Sequence, residues 1–408
     1  MRKIIQNIIL VAISITPLLG IMEVFKFLSI PISINILQIK IIKDILIVIV
    51  LFLSFIRCLE KGFSKQYLPY LLILFFLTLI IFINSSSNFM MAIAGVRWCL
   101  PFFLIFLLID IVDLNLLHKI TKILSVLIIA QTMLQIYEMF YMPAYFGVNY
   151  FNMSGRLPGF FAGANIAGPF ASFVFFMIRY FSSFKKKVKI SLLTISSFSV
   201  FLAMSSTGVG LLLFLLIFPF LLKSNYKFLA LIVIIPIFIL TIINLDTITG
   251  RGEGGSEASF GTRIEILKEQ INESELISSN FGKATNTAIN LRNQLRLIQK
   301  DAYIADALYT SILSNYGLVF LTGYILLLIV LLFNIFRKND EALILFLIVI
   351  ILSGTTLILV EIFPLSLLCA ILSAYYLSNK KLKNYRESLK IQKSSLATKT
   401  KAEFTCSK

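Results

Sequence analysis

The sequence predicts an all-α polytopic membrane protein. Of its 408 residues, 58% are hydrophobic and only 14% are charged, which is more apolar surface than one soluble core would bury. The apolar residues form runs of about 20, the length that a helix needs to cross the hydrocarbon layer. A helix also satisfies its own backbone hydrogen bonds inside that layer. These observations predict roughly 12 transmembrane helices and one large extracytoplasmic loop that contains short helices.

The predicted spans divide the chain into four parts. Residues 1–245 hold helices 1–9, with a medium outer loop at about 143–162. Residues 246–305 form the large loop, residues 306–379 hold helices 10–12, and residues 380–408 form a basic tail. The predicted apolar runs are 4–22, 39–56, 67–84, 91–111, 120–142, 163–181, 190–205, 208–222, 228–245, 307–336, 342–360 and 362–377.

Basic residues predict the orientation of these spans. About two thirds of the 37 Lys and Arg residues fall in the amino terminus, alternate connections and the tail, as the positive-inside rule expects of cytoplasmic segments. The first run could also be a signal peptide, but no small-residue cleavage site follows it and further spans do. We therefore expect both termini in the cytoplasm. Because the net charge of +17 is spread over short segments, membrane lipids and not nucleic acids are the expected partners.

Cysteine, histidine and nucleotide chemistry have little support in the sequence. The four cysteines form no CxxC pair and none lies in the large loop, which argues against a disulfide framework or a cysteine-built zinc site. The single histidine, His118, is predicted at the cytoplasmic end of a span and is interpreted as structural. No nucleotide-binding loop or metal-binding motif occurs, so no cofactor or metal is expected.

The candidate functional residues are charged groups near the predicted outer surface. An arginine at this depth is costly unless it snorkels or meets an anion, and its planar guanidinium matches diphosphate oxygens. Several arginines that converge on one outward cavity would bind a lipid-linked diphosphate. The candidates are Arg97 early in the fourth span, Arg156 in the medium loop, and Arg251, Arg263, Arg292 and Arg296 in the large loop.

These arginines also have structural interpretations. Arg97 could snorkel to the interface or pair with an acid. Arg251 lies in a glycine-rich stretch, where it would be solvated, and Arg292 and Arg296 share a helix face that could contact lipid headgroups. Arg156 lies among glycines that let a ligand approach the backbone, which favours a functional role.

Three acidic residues lie near predicted outer ends of spans. Asp306 directly follows the large loop and could be a general base for a sugar hydroxyl. It could equally cap the following helix, which the local sequence favours. Glu138 and Glu361 could each pair with an arginine or mark a proton or ion path.

Four segments, in their order along the chain, resemble the O-antigen polymerase family, also called oligosaccharide repeat-unit polymerases. They are the Arg…Gly-Phe…Asn…Ala segment 156–167, the serine-rich turn 205–208, the Arg-bearing segment 259–263, and residues 306–309 at the re-entry into the membrane. The turn lacks the Arg that the family often carries there. The related O-antigen ligases typically carry a His at the re-entry segment. Asp306 stands there in this chain, which favours a polymerase over a ligase.

The resemblance implies a membrane glycosyltransferase at the outer face of the bacterial inner membrane. The substrate would be an oligosaccharide repeat unit on undecaprenyl diphosphate, and the product O-antigen or capsular polysaccharide. Arg156 and Arg263 would stabilise the diphosphate leaving group, and Asp306 would deprotonate the acceptor hydroxyl without a metal ion. Asn165 and Tyr309 would bind substrate. A chain-length regulator is a further expected partner.

A transporter or flippase for the lipid-linked oligosaccharide is the alternative from another class. Such a protein should place paired charges or broken helices near the bilayer midplane. The predicted charge is concentrated in one outer loop instead, which favours an external active site.

Overall fold

The computed structural model of the chain describes residues 1–18, 36–63, 67–84, 89–141, 157–161, 163–222, 268–272, 274–278, 307–338, 340–355, 357, 359 and 361–378. These residues form α-helices and connecting turns and contain no β-strand, which confirms the predicted all-α class. The helices are α1 (Arg2–Ser14), α2 (Ile36–Lys61), α3 (Leu68–Asn84), α4 (Phe89–Leu107), α5 (Leu114–Tyr141), α6 (Ala164–Phe181), α7 (Lys186–Ala203), α8 (Ser206–Leu222), α9 (Leu308–Tyr316), α10 (Leu318–Lys338), α11 (Glu341–Gly354) and α12 (Leu365–Leu377).

Most of the predicted apolar runs coincide with helices. The predicted ninth span, 228–245, lies outside the described residues, as does the basic tail. Two described segments, Leu114–Phe140 and Ala164–Phe181, are long and apolar enough to cross a membrane. This criterion considers only the length and composition of a helix, and the buried core helix of a soluble protein also meets it.

The predicted tenth span, 307–336, is not one continuous helix. Gly317 adopts φ +91°, which favours glycine, and separates α9 from α10. The rings of Tyr309 and Tyr324 lie 6.4 Å apart, whereas a continuous helix would separate these residues by about 22 Å along its axis. The chain therefore bends sharply at Gly317, and α9 packs back against α10.

α6 is the central helix of the bundle. It packs against α5, α7, α8 and α11. Of its 18 residues, 78% are buried. α6 and α8 cross in backbone contact, because a Cβ on Gly208 would lie 2.6 Å from the Cα of Gly168. The hydroxyl of Ser172 donates to the carbonyl of Gly208 at 2.8 Å across the same crossing. Small residues at a helix crossing permit this close approach.

One end of the bundle, called here the basic end, joins helix termini through side chains. The Arg2 guanidinium pairs with Asp113, and the ring of His118 bonds to the carbonyl of Phe181. The hydroxyls of two tyrosines reach neighbouring helices there, Tyr67 donating to the carbonyl of Leu377 at 2.8 Å and Tyr180 to the carboxylate of Glu341 at 2.5 Å. The opposite end, called here the cavity end, carries the amino termini of α4, α6 and α8 and the carboxyl termini of α5, α7 and α11.

Large apolar side chains cover much of the bundle's outer surface. On α3, Ile73, Phe76 and Ile83 are each more than half exposed, at 57%, 55% and 62%. On α5, only 44% of the residues in its 18-residue apolar stretch are buried. The side chains of Val126, Met133 and Phe140 point outward, with 66–69% of their surface exposed. A soluble monomer rarely exposes apolar surface on this scale.

Candidate functional site

A buried polar face of α5 holds the turn at residues 157–160, near the end of the predicted medium loop. Gln131, Gln135 and Glu138 stand at i, i+4 and i+7, so they share one side of the helix. All three are fully buried, with 0% of their surface exposed. Because they are buried, their amide and carboxylate groups are expected to have hydrogen-bond partners.

Those partners are backbone groups of residues 157–160, and we call the arrangement the α5 clamp. The amide of Gln131 both donates to and accepts from the turn, Gln135 donates to it, and Glu138 accepts from it. The bonds are Gln131 Nε2 to Pro158 O at 2.8 Å, Phe160 N to Gln131 Oε1 at 3.0 Å, Gln135 Nε2 to Leu157 O at 2.8 Å, and Gly159 N to Glu138 Oε2 at 2.9 Å.

The clamp is completed by α7 and by a glycine. The Leu157 amide donates to the carbonyl of Leu202 at 3.3 Å, and the hydroxyl of Ser199 donates to Gln135 at 2.7 Å. Gly159 has φ +63°, and a Cβ there would lie 2.4 Å from the amide of Gln131. Glycine is therefore required at this position both for its conformation and for space.

Glu138 keeps one carboxylate oxygen outside the clamp. Its Oε1 is buried and has no hydrogen-bond partner in the described part of the chain. A buried, unpartnered carboxylate oxygen is costly. This position is therefore a candidate for contact with a further polar group.

Two predicted site residues flank the clamped turn in sequence. Arg156 directly precedes it but lies outside the described residues. Asn165, in the first turn of α6, is exposed and is available to a ligand.

The serine-rich turn lies at the same end of the bundle. Met204 adopts the left-handed conformation with φ +46°, and Ser205 follows as the cap of α8, accepting from the Gly208 amide at 3.3 Å. The turn between α7 and α8 is therefore at residues 204–205, at the start of the predicted serine-rich turn 205–208. This turn begins the close α6–α8 crossing.

A second polar site lies between α2, α4 and the turn before α12. Arg97 pairs with Asp44 at 3.2 Å, and the ammonium of Lys43 lies 3.5 Å from the same carboxylate. Lys43 also lies 5.5 Å from the ring centre of Phe363. Together with Glu361, these residues line a cavity that is open to the surface. The acid-pairing alternative for Arg97 is thus what the structure shows.

Trp98 connects this cavity to the re-entry segment. This residue lines the cavity, and its ring lies 5.4 Å from the ring of Tyr316, at the end of α9. Only 2% of Trp98 is exposed, and its indole N–H is buried without an acceptor among the described residues.

Two residues of the predicted large loop, Glu275 and Leu276, dock onto the bend at Gly317. The amides of Leu318 and Val319 donate to the carbonyls of Glu275 and Leu276 at 3.1 and 3.3 Å. A Cβ on Gly317 would lie 2.6 Å from the carbonyl oxygen of Leu276. The bend thus supplies backbone donors to the loop, which a continuous helix could not do.

Two observations concern the residues predicted at the re-entry segment. Tyr309, predicted to bind substrate, donates its hydroxyl to the carbonyl of Ile351 at 3.0 Å, which ties α9 to α11. The position before α9 is Ala307, which makes no side-chain cap, so the described residues do not place Asp306 at the N-cap of this helix.

Several predicted site residues lie outside the described residues. They are Arg156, Arg251, Arg263, Arg292, Arg296 and Asp306. Within the predicted large loop, which was expected to contain short helices, residues 268–272 are helical. Within the described part of the chain, no group of three or more His, Cys, Asp or Glu side chains is placed to hold a metal ion.

Sequence reasoning missed four residues of these two sites. Gln131 and Gln135 had a readable signal, since with Glu138 they form a polar i, i+4, i+7 stripe inside an apolar run. Lys43 and Asp44 are adjacent charges early in a predicted span, and such charges are costly in a bilayer. Their pairing with Arg97 depends on how α2 packs against α4, which no local pattern reveals.

Comparison with known proteins adds no relative. No protein-family model matches the chain, and it has no match among curated protein sequences or solved structures. What the described residues show is an all-α bundle with extensive exposed apolar surface, a buried polar site on α5 and a partly exposed charged site between α2 and α4.

Proposed function

We propose that the chain is a bacterial inner-membrane glycosyltransferase that polymerises oligosaccharide repeat units carried on undecaprenyl diphosphate. One observation carries the proposal. The described parts of the segments that resemble O-antigen polymerases, at residues 157–167, 205–208 and 307–309, all lie at the cavity end. They belong to different helices and are far apart in sequence, so their meeting at one end comes from the fold.

The proposed topology has roughly 12 spans, with both termini in the cytoplasm and the cavity end outside. Two features support it. The exposed apolar belts on α3 and α5 suit a lipid environment. The contacts at the basic end join only residues that the charge pattern assigns to the cytoplasmic side, among them Arg2 with Asp113 and Tyr67 with Leu377.

In the proposed reaction, an acceptor hydroxyl attacks the anomeric carbon of the growing glycan. The bond from that carbon to the diphosphate oxygen breaks, a glycosidic bond forms, and undecaprenyl diphosphate leaves. Asp306 takes the hydroxyl proton, and Arg156 and Arg263 stabilise the charge that develops on the diphosphate. Arg97 is not used, because Asp44 already occupies its guanidinium.

The α5 clamp gives the proposal a structural rationale. An arginine that stabilises a leaving group must be held within a fraction of an ångström of its working position. Four hydrogen bonds from buried side chains fix the turn that begins one residue after Arg156. The clamp would therefore position the backbone from which Arg156 extends.

The test is deletion of the gene in its native bacterium, followed by complementation and gel analysis of surface glycan. A polymerase defect leaves one repeat unit per anchor, a ligase defect leaves none, and a flippase defect traps units inside the cell. Arg156→Ala and Arg263→Ala should each give single units, whereas the exposed basic-end variant Lys119→Ala should give full-length chains. Normal chain lengths in both arginine variants, at normal protein levels, would overturn the proposal.

Asp306→Asn tests the base within the same experiment. The amide keeps the size of the carboxylate but cannot accept the hydroxyl proton, so we expect single repeat units. Full-length glycan from this variant would exclude the base role.

A lipid-linked oligosaccharide flippase is the second candidate, and two observations favour it. The helix bend at Gly317 and the charged residues 43, 44, 97 and 361 are features of transporters. The charge pattern of the sequence argues the other way, because most of the charge predicted outside the cytoplasm lies in the large loop at residues 246–305.

A further inference from the structure

We propose that four exposed lysines at the basic end of α5 and α7 bind the headgroup of an anionic phospholipid that carries two phosphates. They are Lys122 on α5 and Lys185, Lys186 and Lys187 at the start of α7, and we call them the lysine patch. In the proposed topology this lipid belongs to the cytoplasmic leaflet. The patch takes no part in the proposed polymerase reaction, which is assigned to the cavity end.

The packing of α5 against α7 brings these lysines to one level of the bundle. Both helices run from the basic end to the cavity end, and they pack against each other. Gln135 and Ser199 meet through two hydrogen bonds, at 3.3 and 2.7 Å. Lys122 precedes Gln135 by the same 13 positions by which Lys186 precedes Ser199. The two lysines therefore lie at about the same height on neighbouring helices.

The patch begins where the exposed apolar surface of both helices ends. On α5, Val126 and Phe140 are 66% and 69% exposed, and Lys122 precedes Val126 by one turn on the same face. On α7, Phe201 is 53% exposed, and Lys187 stands four turns earlier on its face. A helix rises about 27 Å from Lys122 to Phe140, close to the hydrocarbon thickness of about 30 Å. The lysines therefore lie at the boundary where lipid phosphates begin.

Acidic residues of the described chain do not balance the charge of the patch. Among the residues that the structure describes, none pairs with any of the four ammonium groups. The first turn of α7 contains no acidic residue, although a helix favours acids rather than lysines there. Three consecutive lysines also repel one another. An anion that reaches the patch therefore gains from several cations at once.

Two linked phosphates match the patch better than one. The axes of packed helices lie about 8–10 Å apart, so a single phosphate contacts the lysines of one helix closely. A lipid whose two phosphates are joined by a glycerol reaches Lys122 with one and the start of α7 with the other. Basic sites between transmembrane helices on the cytoplasmic side suit such lipids. Lys119 lies one turn further from the bilayer than Lys122 and so lies outside the patch.

Native mass spectrometry of the full-length protein in detergent, titrated with defined phospholipids, tests the proposal. Cardiolipin has the two linked phosphates. Phosphatidylglycerol is the matched control, because it has the same kind of phosphate diester but only one, and phosphatidylethanolamine has no net charge. We expect cardiolipin to be retained about tenfold better than phosphatidylethanolamine, a difference of about 1.4 kcal/mol, with phosphatidylglycerol between them.

Variants then assign the preference to the patch. Lys122→Gln removes the α5 side, so the ratio of cardiolipin to phosphatidylglycerol should fall about fivefold. The triple variant Lys185→Gln, Lys186→Gln and Lys187→Gln should remove the preference of both anionic lipids over phosphatidylethanolamine. Lys61→Gln is the matched control, because Lys61 is also exposed at the basic end, on α2, and it should change neither ratio. Differences in yield cancel, because each ratio compares lipids bound to the same sample.

Three outcomes would overturn the proposal. The first is equal retention of the three lipids by the unmodified protein. The second is an unchanged ratio of cardiolipin to phosphatidylglycerol in Lys122→Gln, which would deny that the lipid reaches both helices. The third is an equal fall in Lys61→Gln, which would assign the preference to total charge. A failed glycan assay would leave these lipid ratios unaffected, so this proposal and the proposed function fail separately.

Discussion

The two ends of the bundle use the same kinds of polar contact in different surroundings. At the basic end, Arg2 and Asp113 pair while 32% of each side chain remains exposed. At the cavity end, Gln131, Gln135 and Glu138 are completely buried and bond mainly to backbone. Exposed pairs contribute little because water competes for them, whereas a buried group that loses its partner carries the full desolvation cost. Equal substitutions should therefore have unequal effects at the two ends.

The largest effect should come from the crossing of α6 and α8 at the cavity end. Gly208→Ala would place a Cβ 2.6 Å from the backbone of Gly168, and backbone cannot move aside as a flexible side chain can. We expect overpacking to cost about 1–3 kcal/mol or more and to lower the apparent melting temperature in detergent.

Gly323→Ala, in α10, is the matched control for that substitution. A Cβ at Gly323 would meet no atom within 4 Å. Alanine should therefore be neutral there, or stabilising by up to about 1 kcal/mol, since glycine is the poorer helix former. Similar melting temperatures for the two variants would contradict the close crossing.

An intermediate effect is expected from replacing matched glutamines at the two ends. Gln135→Leu leaves the carbonyl of Leu157 and the hydroxyl of Ser199 without the bonds that they make to Gln135. Each buried unsatisfied group costs about 1–3 kcal/mol, so the melting temperature should fall clearly.

Gln6→Leu, at the basic end, should have a smaller effect. Gln6 donates to the carbonyl of Ile111 at 2.9 Å, but that carbonyl also accepts from Arg2 at 3.1 Å and so stays paired. We expect a loss of about 0.5–1 kcal/mol, measured in the same thermal assay. If Gln6→Leu proved as damaging as Gln135→Leu, burial would not distinguish the two ends.

Sequence patterns could predict the helices but not the contacts between them. Most of the helices are marked by apolar runs that are about as long as a membrane span. Such a run can be read from local sequence, because it does not depend on which helices are neighbours. The bend at Gly317 was missed, although Ser314, Asn315 and Gly317 interrupt the apolar run, because its contacts with residues 275–276 come from a segment about 40 positions away. The pairing of Asp44 with Arg97 joins residues 53 positions apart, so it depends on helix packing that local sequence does not encode.

The smallest effect should come from the ion pair at the basic end. Asp113→Asn removes the charge opposite Arg2, but an asparagine can still accept from the Leu116 amide, as Asp113 Oδ1 does at 2.8 Å, so the helix cap survives. For a partly exposed pair we expect a loss of about 0–1 kcal/mol. The melting temperatures of the variant and the unmodified protein should converge as salt rises from about 0.01 to 1 M, where the screening length falls from about 30 to 3 Å. A large, salt-independent loss would instead show that the basic end is as well insulated from water as the cavity end.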